Sequence, residues 1–356
     1  MAPPLTLLQA ATQTVHDFHT PTHATLPRIA AMPALPAFVE DLGGGVFAID
    51  TGFQRPRFDA AYLVVHQGRA AFIDTGTNHA VPRHLAALEA LGLPREAVDW
   101  VIPTHVHLDH AGGAGLLMRE LPTASMLVHP RGAKHMIDPS ALYEGALAVY
   151  GAAEMARSYG ELVAVDKARV RLSHDGMDVT LGGDRVLHLI DTPGHARHHH
   201  CIWDTHTRGW FTGDTFGSSY REFDSARGAW MIPTTVPTQF DPPALRASVK
   251  RLLSFQPACM YVTHFSRLTE VPRAADRVLA MLDEMVALSL RLQKAPDRHV
   301  ALRRELAALY AASLAAHGVA DVPAKMALLD MDIELNAQGI GVWLDREAEL
   351  KKAGAQ

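Results

Sequence analysis

Four side chains able to hold a metal ion fall within six residues: His105, His107, Asp109 and His110, in the stretch T-H-V-H-L-D-H-A-G-G at 104–113. Neutral imidazole is the commonest protein metal ligand. Mixed histidine and carboxylate sets suit zinc or iron. His105 and His107 stand two apart, so in extended backbone they point the same way. Asp109 and His110 follow where the chain turns, and they reach a second point nearby. The spacing suits two metal ions side by side.

The flanks explain how such a cluster would be held. The apolar run 97–102 reads as a buried strand, and 111–121 reads as a helix start. The same pattern of an apolar run ending in a polar side chain recurs downstream. The strand expected at 186–190 leads into D-T-P-G-H and presents His195. The strand at 209–212 ends in Gly-Asp-Thr and presents Asp214, and the strand at 259–263 presents His264. Asp74 also ends a strand, in Asp-Thr-Gly, where it either caps a turn or orients a metal ligand. Asp109, Tyr220 and His199 are the catalytic candidates, the last two as weak general acids. His198 and His200 read as supporting or surface residues.

The formal net charge of -5, without a long basic run, argues against a nucleic-acid partner. Two cysteines, Cys201 and Cys259, rule out a disulfide framework and fit a reducing cytoplasm. No apolar run approaches the roughly 18 residues that a membrane helix needs. A small molecule is the expected partner.

Residues 1–36 are rich in Ala, Thr, Pro and His and read as an N-terminal arm, partly helical around 7–19. Residues 37–76 read as a β-meander, 79–93 as a helix and 125–129 as a strand; their alternation indicates α/β layering. Residues 141–160 read as inserted helices that either pack in the core or form a lid over a pocket. Strands return over 163–190. Residues 272–356 read as three helices (273–294, 297–317 and 323–338) punctuated by Pro296, Gly318 and Gly339. Apolar faces on such helices pair readily across a two-fold, so a homodimer is the expectation.

T-H-V-H-L-D-H, D-T-P-G-H, G-D-T-F and T-H-F, in this order, resemble the motifs of the metallo-β-lactamase-fold hydrolase superfamily. The resemblance covers residues 37–271. It implies an α/β fold: an αββα sandwich, here with a C-terminal helical extension over 272–356. It also implies that His105, His107 and His195 bind one metal, that Asp109, His110 and His264 bind another, and that Asp214 bridges them. Two divalent ions are then expected, zinc first, with iron or manganese compatible. The implied chemistry is cleavage of an ester, lactone or thioester by a hydroxide shared between the metals, as in glyoxalase II-like thioesterases and acyl-homoserine-lactone lactonases. No G-x-S-x-G motif offers a serine route. The alternatives are a metal-containing signal-binding protein and a diiron oxygen-reacting protein on the same fold.

Overall fold

The structure, a computed structural model, describes residues 34–354 apart from Val236 and Thr238. The arm expected over 1–36, with its helix, therefore lies almost wholly outside the described residues. Among these residues two sheets form. The first runs in spatial order β1 (Val39–Asp41), β2 (Val46–Asp50), β3 (Ala60–His66), β4 (Arg69–Ile73), β5 (Val98–Ile102), β6 (Ser125–Val128) and β7 (Val170–Leu172). It is antiparallel up to β4 and parallel from β4 to β7. The second contains β8 (Met177–Leu181), β9 (Arg185–Asp191), β10 (His200–Asp204), β11 (Gly209–Gly213), β12 (Cys259–Val262) and β13 (Ser266–Leu268), also in spatial order. Only β11 and β12 pair in parallel there.

Alternation along the strands builds the layers. On β3, Tyr62 and Val64 face the other sheet while Leu63 faces helices. On β11, Phe211 turns inward and Trp210 outward. Both faces of these strands are buried, and accordingly β10 and β11 contain only buried residues. Helices Val81–Ala90, Ala114–Glu120 and Pro130–Ile137 cover the outer face of the first sheet. Helices Pro242–Ser254 and Val271–Leu292 cover that of the second. The result is the αββα order of layers.

Beyond it, helices Val271–Leu292, Arg298–His317 and Asp330–Gly354 share one apolar core with Phe223, Trp230 and Phe240. Two expectations need correction here. Gly339 does not end a helix: Asp330–Gly354 runs through it, because Ile340, Trp343 and Leu344 continue the buried stripe. Residues 162–165 form no strand. The Val163 carbonyl lies against Gly115, where an added Cβ would stand 1.7 Å away, so the segment crosses a helix instead of joining the ladder.

A buried ion pair within the second sheet holds an arginine that reaches across to the first. Arg185 and Asp204 have no exposed side-chain surface and meet in two contacts of 2.9 and 2.5 Å. Arg185 also donates to the Gly44 and Val65 carbonyls. Arg185→Met leaves the Asp204 charge buried without its cation. It is expected to cost about 3–5 kcal/mol, read from urea unfolding of mutant and wild type.

Candidate metal centre

The first sheet contributes most of the donors. β5 ends at Ile102, and the chain then bends through His105 and His107 before the short helical turn Leu108–Ala111. His107 is the residue immediately before that turn, with φ -68° and ψ 154°. Hence His105 and His107 project together, while Asp109 and His110 are carried round by the turn. The second sheet delivers His195 after β9, Asp214 after β11 and His264 after β12. Gly213 adopts φ +46°, and a Cβ there would stand 2.5 Å from Thr104 Oγ1 and 2.6 Å from His199 Nε2. Glycine is what lets the end of β11 come this close to β5.

Seven side chains converge. His107 Nδ1 approaches His105 Nε2 to 2.7 Å and His195 Nε2 to 3.1 Å. On the other side, His110 Nε2 lies 3.6 Å from Asp109 Oδ2, and so does His264 Nε2. Asp214 stands between the groups. Its Oδ2 is 3.4 Å from His195 Nε2, and its Oδ1 is 3.2 Å from His110 Nε2 and 3.6 Å from His264 Nε2. Donor atoms around a tetrahedral ion with bonds near 2.0–2.1 Å stand about 3.3 Å apart. The spacings here cluster about that value. Three sets fit a metal: His105, His107 and His195; His105, His110 and Asp214; Asp109, His110 and His264.

The far side of each ring shows which nitrogen faces inward. His110 Nδ1 donates to Asp74 Oδ2 at 2.9 Å, and His264 Nδ1 donates to the Phe58 carbonyl at 3.0 Å. His195 Nδ1 meets the Thr234 carbonyl at 3.2 Å. With Nδ1 so engaged, Nε2 offers a lone pair to the centre. His110 Nε2 and Asp214 Oδ1 are buried without a hydrogen-bond partner. Such orphaned atoms carry a desolvation cost that a bound cation removes. The donor set therefore fits divalent metal.

Asp74 is the orienting carboxylate of the set. It takes φ +56°, a left-handed conformation that Asp tolerates. Besides His110 it accepts from Thr104 N–H at 2.7 Å and Thr263 Oγ1 at 3.1 Å, so one carboxylate joins two of the segments that carry donors.

Electrostatics repeats the pattern. Burial and the neighbouring imidazoles push His105 well below its usual range. Burial works against the charge of His264, but Asp214 and Asp109 outweigh it and raise the ring to about 9. Burial likewise opposes ionisation of Asp109, and His110 and His264 still bring it to about 2. The aspartates likewise hold His110 above its usual range against the effect of burial.

The two acid candidates separate. Tyr220 lines the cavity, but its hydroxyl donates to Asp332 Oδ1 at 2.8 Å. His199 does not reach the cavity: Thr192 Oγ1 holds its Nδ1 at 2.9 Å, and its Nε2 accepts from Asp214 N–H at 3.2 Å. It braces the Asp214 backbone, and a general-acid role facing substrate does not fit that position. His198 lines the cavity and accepts from Val106 N–H at 3.4 Å, while His200 is buried against the Pro103 carbonyl.

The cavity above the donors has a volume of about 310 Å³. Helix Ser140–Tyr150 and Tyr159 form one wall, so the inserted segment does cover the site. Phe53 and Phe58 form another. Met331, Asp332, Leu335 and Asn336, from the last helix, close it. Sequence reasoning did not single out Asp332 or Asn336. Their signal is a pair of polar residues four apart inside a stripe of Met, Ile and Leu.

A sandwich with donors presented at strand ends from both sheets defines a class of metalloprotein. The chain belongs to the metallo-beta-lactamase superfamily, whose family model matches residues 54–264. Among curated proteins it is similar to the metallo-beta-lactamase fold-containing protein ST1585 of Sulfurisphaera tokodaii, 28% identical over 225 residues, 62% of this chain and 78% of that protein. It is 32% identical over 139 residues to a hydroxyacylglutathione hydrolase of Acidiphilium cryptum, spanning 39% of this chain and 42% of that protein. Among solved structures, TTHA1429 of Thermus thermophilus, a metallo-beta-lactamase family protein, aligns with TM-score 0.61 over 86% of this chain and 95% of that one, at 19% identity. That likeness speaks for the fold alone.

Two outcomes follow from the geometry. Asp74→Asn is expected to weaken metal binding about 10–100-fold, measured by competition with a chromogenic chelator. Metal uptake by metal-free protein near neutral pH is expected to release protons, because His110 and His264 are raised and must lose theirs to coordinate. Affinity then falls as pH falls. An indicator dye in weak buffer reads the release.

Proposed function

We propose that the protein is a binuclear metal-dependent hydrolase that cleaves an ester, lactone or thioester bond in a small molecule. The observation that carries this reading is the disposition of Asp214, with one carboxylate oxygen turned to His195 and the other to His110 and His264. A carboxylate so placed serves two ions at once. His105, His107 and His195 would hold one, and Asp109, His110 and His264 the other. Metal held by these residues would supply Lewis acidity toward a carbonyl and a water acidified toward a pKa of about 7. Zinc fits the histidine-rich set, and iron or manganese would be accepted by the same atoms.

The chain's own residues do the rest. Asp74, Phe58 and Thr234 fix the ring orientations through His110, His264 and His195. His199 and Gly213 hold the Asp214 backbone in place. Burial pushes the Tyr220 hydroxyl well above its usual range, and the Asp332 charge adds to this, so the phenol keeps its proton at neutral pH. Its contact with Asp332 makes it a wall of the cavity first. The apolar lining from Leu142, Val149, Phe53 and Phe58 would exclude water and receive an apolar part of the substrate.

The relative named hydroxyacylglutathione hydrolase supports hydrolysis as the reaction type. The test is a panel of substrates for metal-loaded protein: long- and short-chain homoserine lactones, S-lactoylglutathione and simple aryl esters. One class is expected to exceed the others at least about 100-fold in kcat/KM, with a chelator abolishing turnover. Asp214→Ala is expected to lower metal content and activity together. Two metals bound per chain with no turnover of any substrate would overturn the hydrolase reading in favour of a signal-binding protein.

A further inference from the structure

We propose that Asp332 is a specificity residue that reads a nitrogen-bound hydrogen on the substrate, an amide N–H or an ammonium, within a few bonds of the scissile carbonyl. This rests on the reading of the cavity as a substrate site.

Asp332 stands in the first turn of helix Asp330–Gly354 and lines the same cavity as His195, Asp214 and His264. Its two oxygens differ. Oδ1 accepts from the Tyr220 hydroxyl at 2.8 Å, whereas Oδ2 is shielded from solvent and has no hydrogen-bond partner among the described residues. Burial raises the carboxyl to about 6, so above that pH it is ionised and its oxygens only accept; this position then calls for a donor. Leaving it unmet costs the desolvation of that atom.

No hydrogen bond from a neighbouring cation among the described residues meets the need. Arg55 stands 4.7 Å from the centre of the Tyr220 ring and pairs through Nε with Glu222 at 2.7 Å; its Nη2, buried without a partner, makes no hydrogen bond to Oδ2. Asn336, one helical turn on, is already engaged: its Oδ1 accepts from Thr235 N–H at 2.7 Å, and its Nδ2 donates to the Tyr310 hydroxyl at 2.8 Å. Ser218 Oγ, also without a partner on the cavity wall, can donate as well as accept and so selects neither. Of these atoms, Asp332 Oδ2 is the one that discriminates.

Its place relative to the metal centre sets the reach. The Tyr220 ring stacks on Phe58 at 5.0 Å and lies 6.1 Å from His264, centre to centre. The carboxylate is thus set back from His264 by about one aromatic side chain. A substrate whose carbonyl meets the metal donors presents a nearby N–H to Oδ2 and leaves its apolar remainder against Leu142 and Val149. A site built to bond an N–H rejects the analogue that lacks it, because its own polar atom is then left unpaired.

The experiment uses the full-length protein and matched ligands: N-hexanoylglycine, N-hexylglycine and the ether hexyloxyacetate as the oxygen analogue, as methyl ketones for binding and as 4-nitrophenyl esters for turnover. The ketones cannot be cleaved, so calorimetry reads recognition separately from chemistry. Wild type is expected to bind at least one N–H ketone about tenfold or more tighter than the oxygen analogue. In Asp332→Ala the gap is expected to close to within about twofold. Asp332→Asn keeps an acceptor for Tyr220 and puts an amide donor where Oδ2 stood, so the preference is expected to reverse even if the alanine variant folds poorly. A tenfold preference for the amide identifies a neutral donor, and one for the amine alone identifies a cation. Equal binding by wild type, or a gap that survives both substitutions, overturns the proposal. Discrimination among ketones without turnover of any ester by metal-loaded protein would fell the hydrolase reading and leave Asp332 in its role.

Discussion

Everything in this protein is arranged around an electrostatic problem: five imidazoles and two carboxylates held within coordination distance of one another, mostly out of water. Left alone, such a group repels and is costly to desolvate. The fold answers by fastening the outward atoms. Asp74, the Phe58 carbonyl and the Thr234 carbonyl take the far nitrogens of His110, His264 and His195, so the near nitrogens have nowhere to go but inward. A cation, proton or metal, then makes the arrangement stable. The two-sheet sandwich exists on this account to bring strand ends from opposite sheets to one edge, and Gly213 permits the last approach.

The metal donors were legible in the sequence because each follows an apolar run, and a run that stops abruptly at a polar side chain reports its own geometry. The strands themselves were legible for the same reason, including the meander over 37–76. What could not be read was where long-range packing decides. The segment 162–165 has the composition of a strand, yet Gly115 draws its backbone across a helix. Gly339 has the look of a stop, yet the stripe of Ile340, Trp343 and Leu344 carries the helix onward. His199 and Asp214 are fifteen residues apart, and only the folded chain shows the ring accepting from the other's backbone. Asp332 lies 112 residues from Tyr220 in sequence, a separation that no local pattern crosses.

That last contact also changes what the C-terminal helices mean. On the sequence they form an appendage. In the structure they share one core with Phe58, Tyr220 and Trp230, and their final helix closes the cavity over the metal donors. The cavity is thus built by two different kinds of segment: strand ends that set the chemistry and helices that set the shape.

Helix Ser140–Tyr150 differs from every other wall in one respect: none of its residues is fully buried. Its inner face meets the cavity, and Leu142, Ala146 and Tyr150 pack against the core only partly buried. Substitutions there change the outline offered to a guest and cost less stability than at the fully buried positions of the other walls. A lineage can therefore explore new guests along this helix by small steps while the strand-end donors stay fixed. Tunability and robustness are assigned to separate stretches of the same chain.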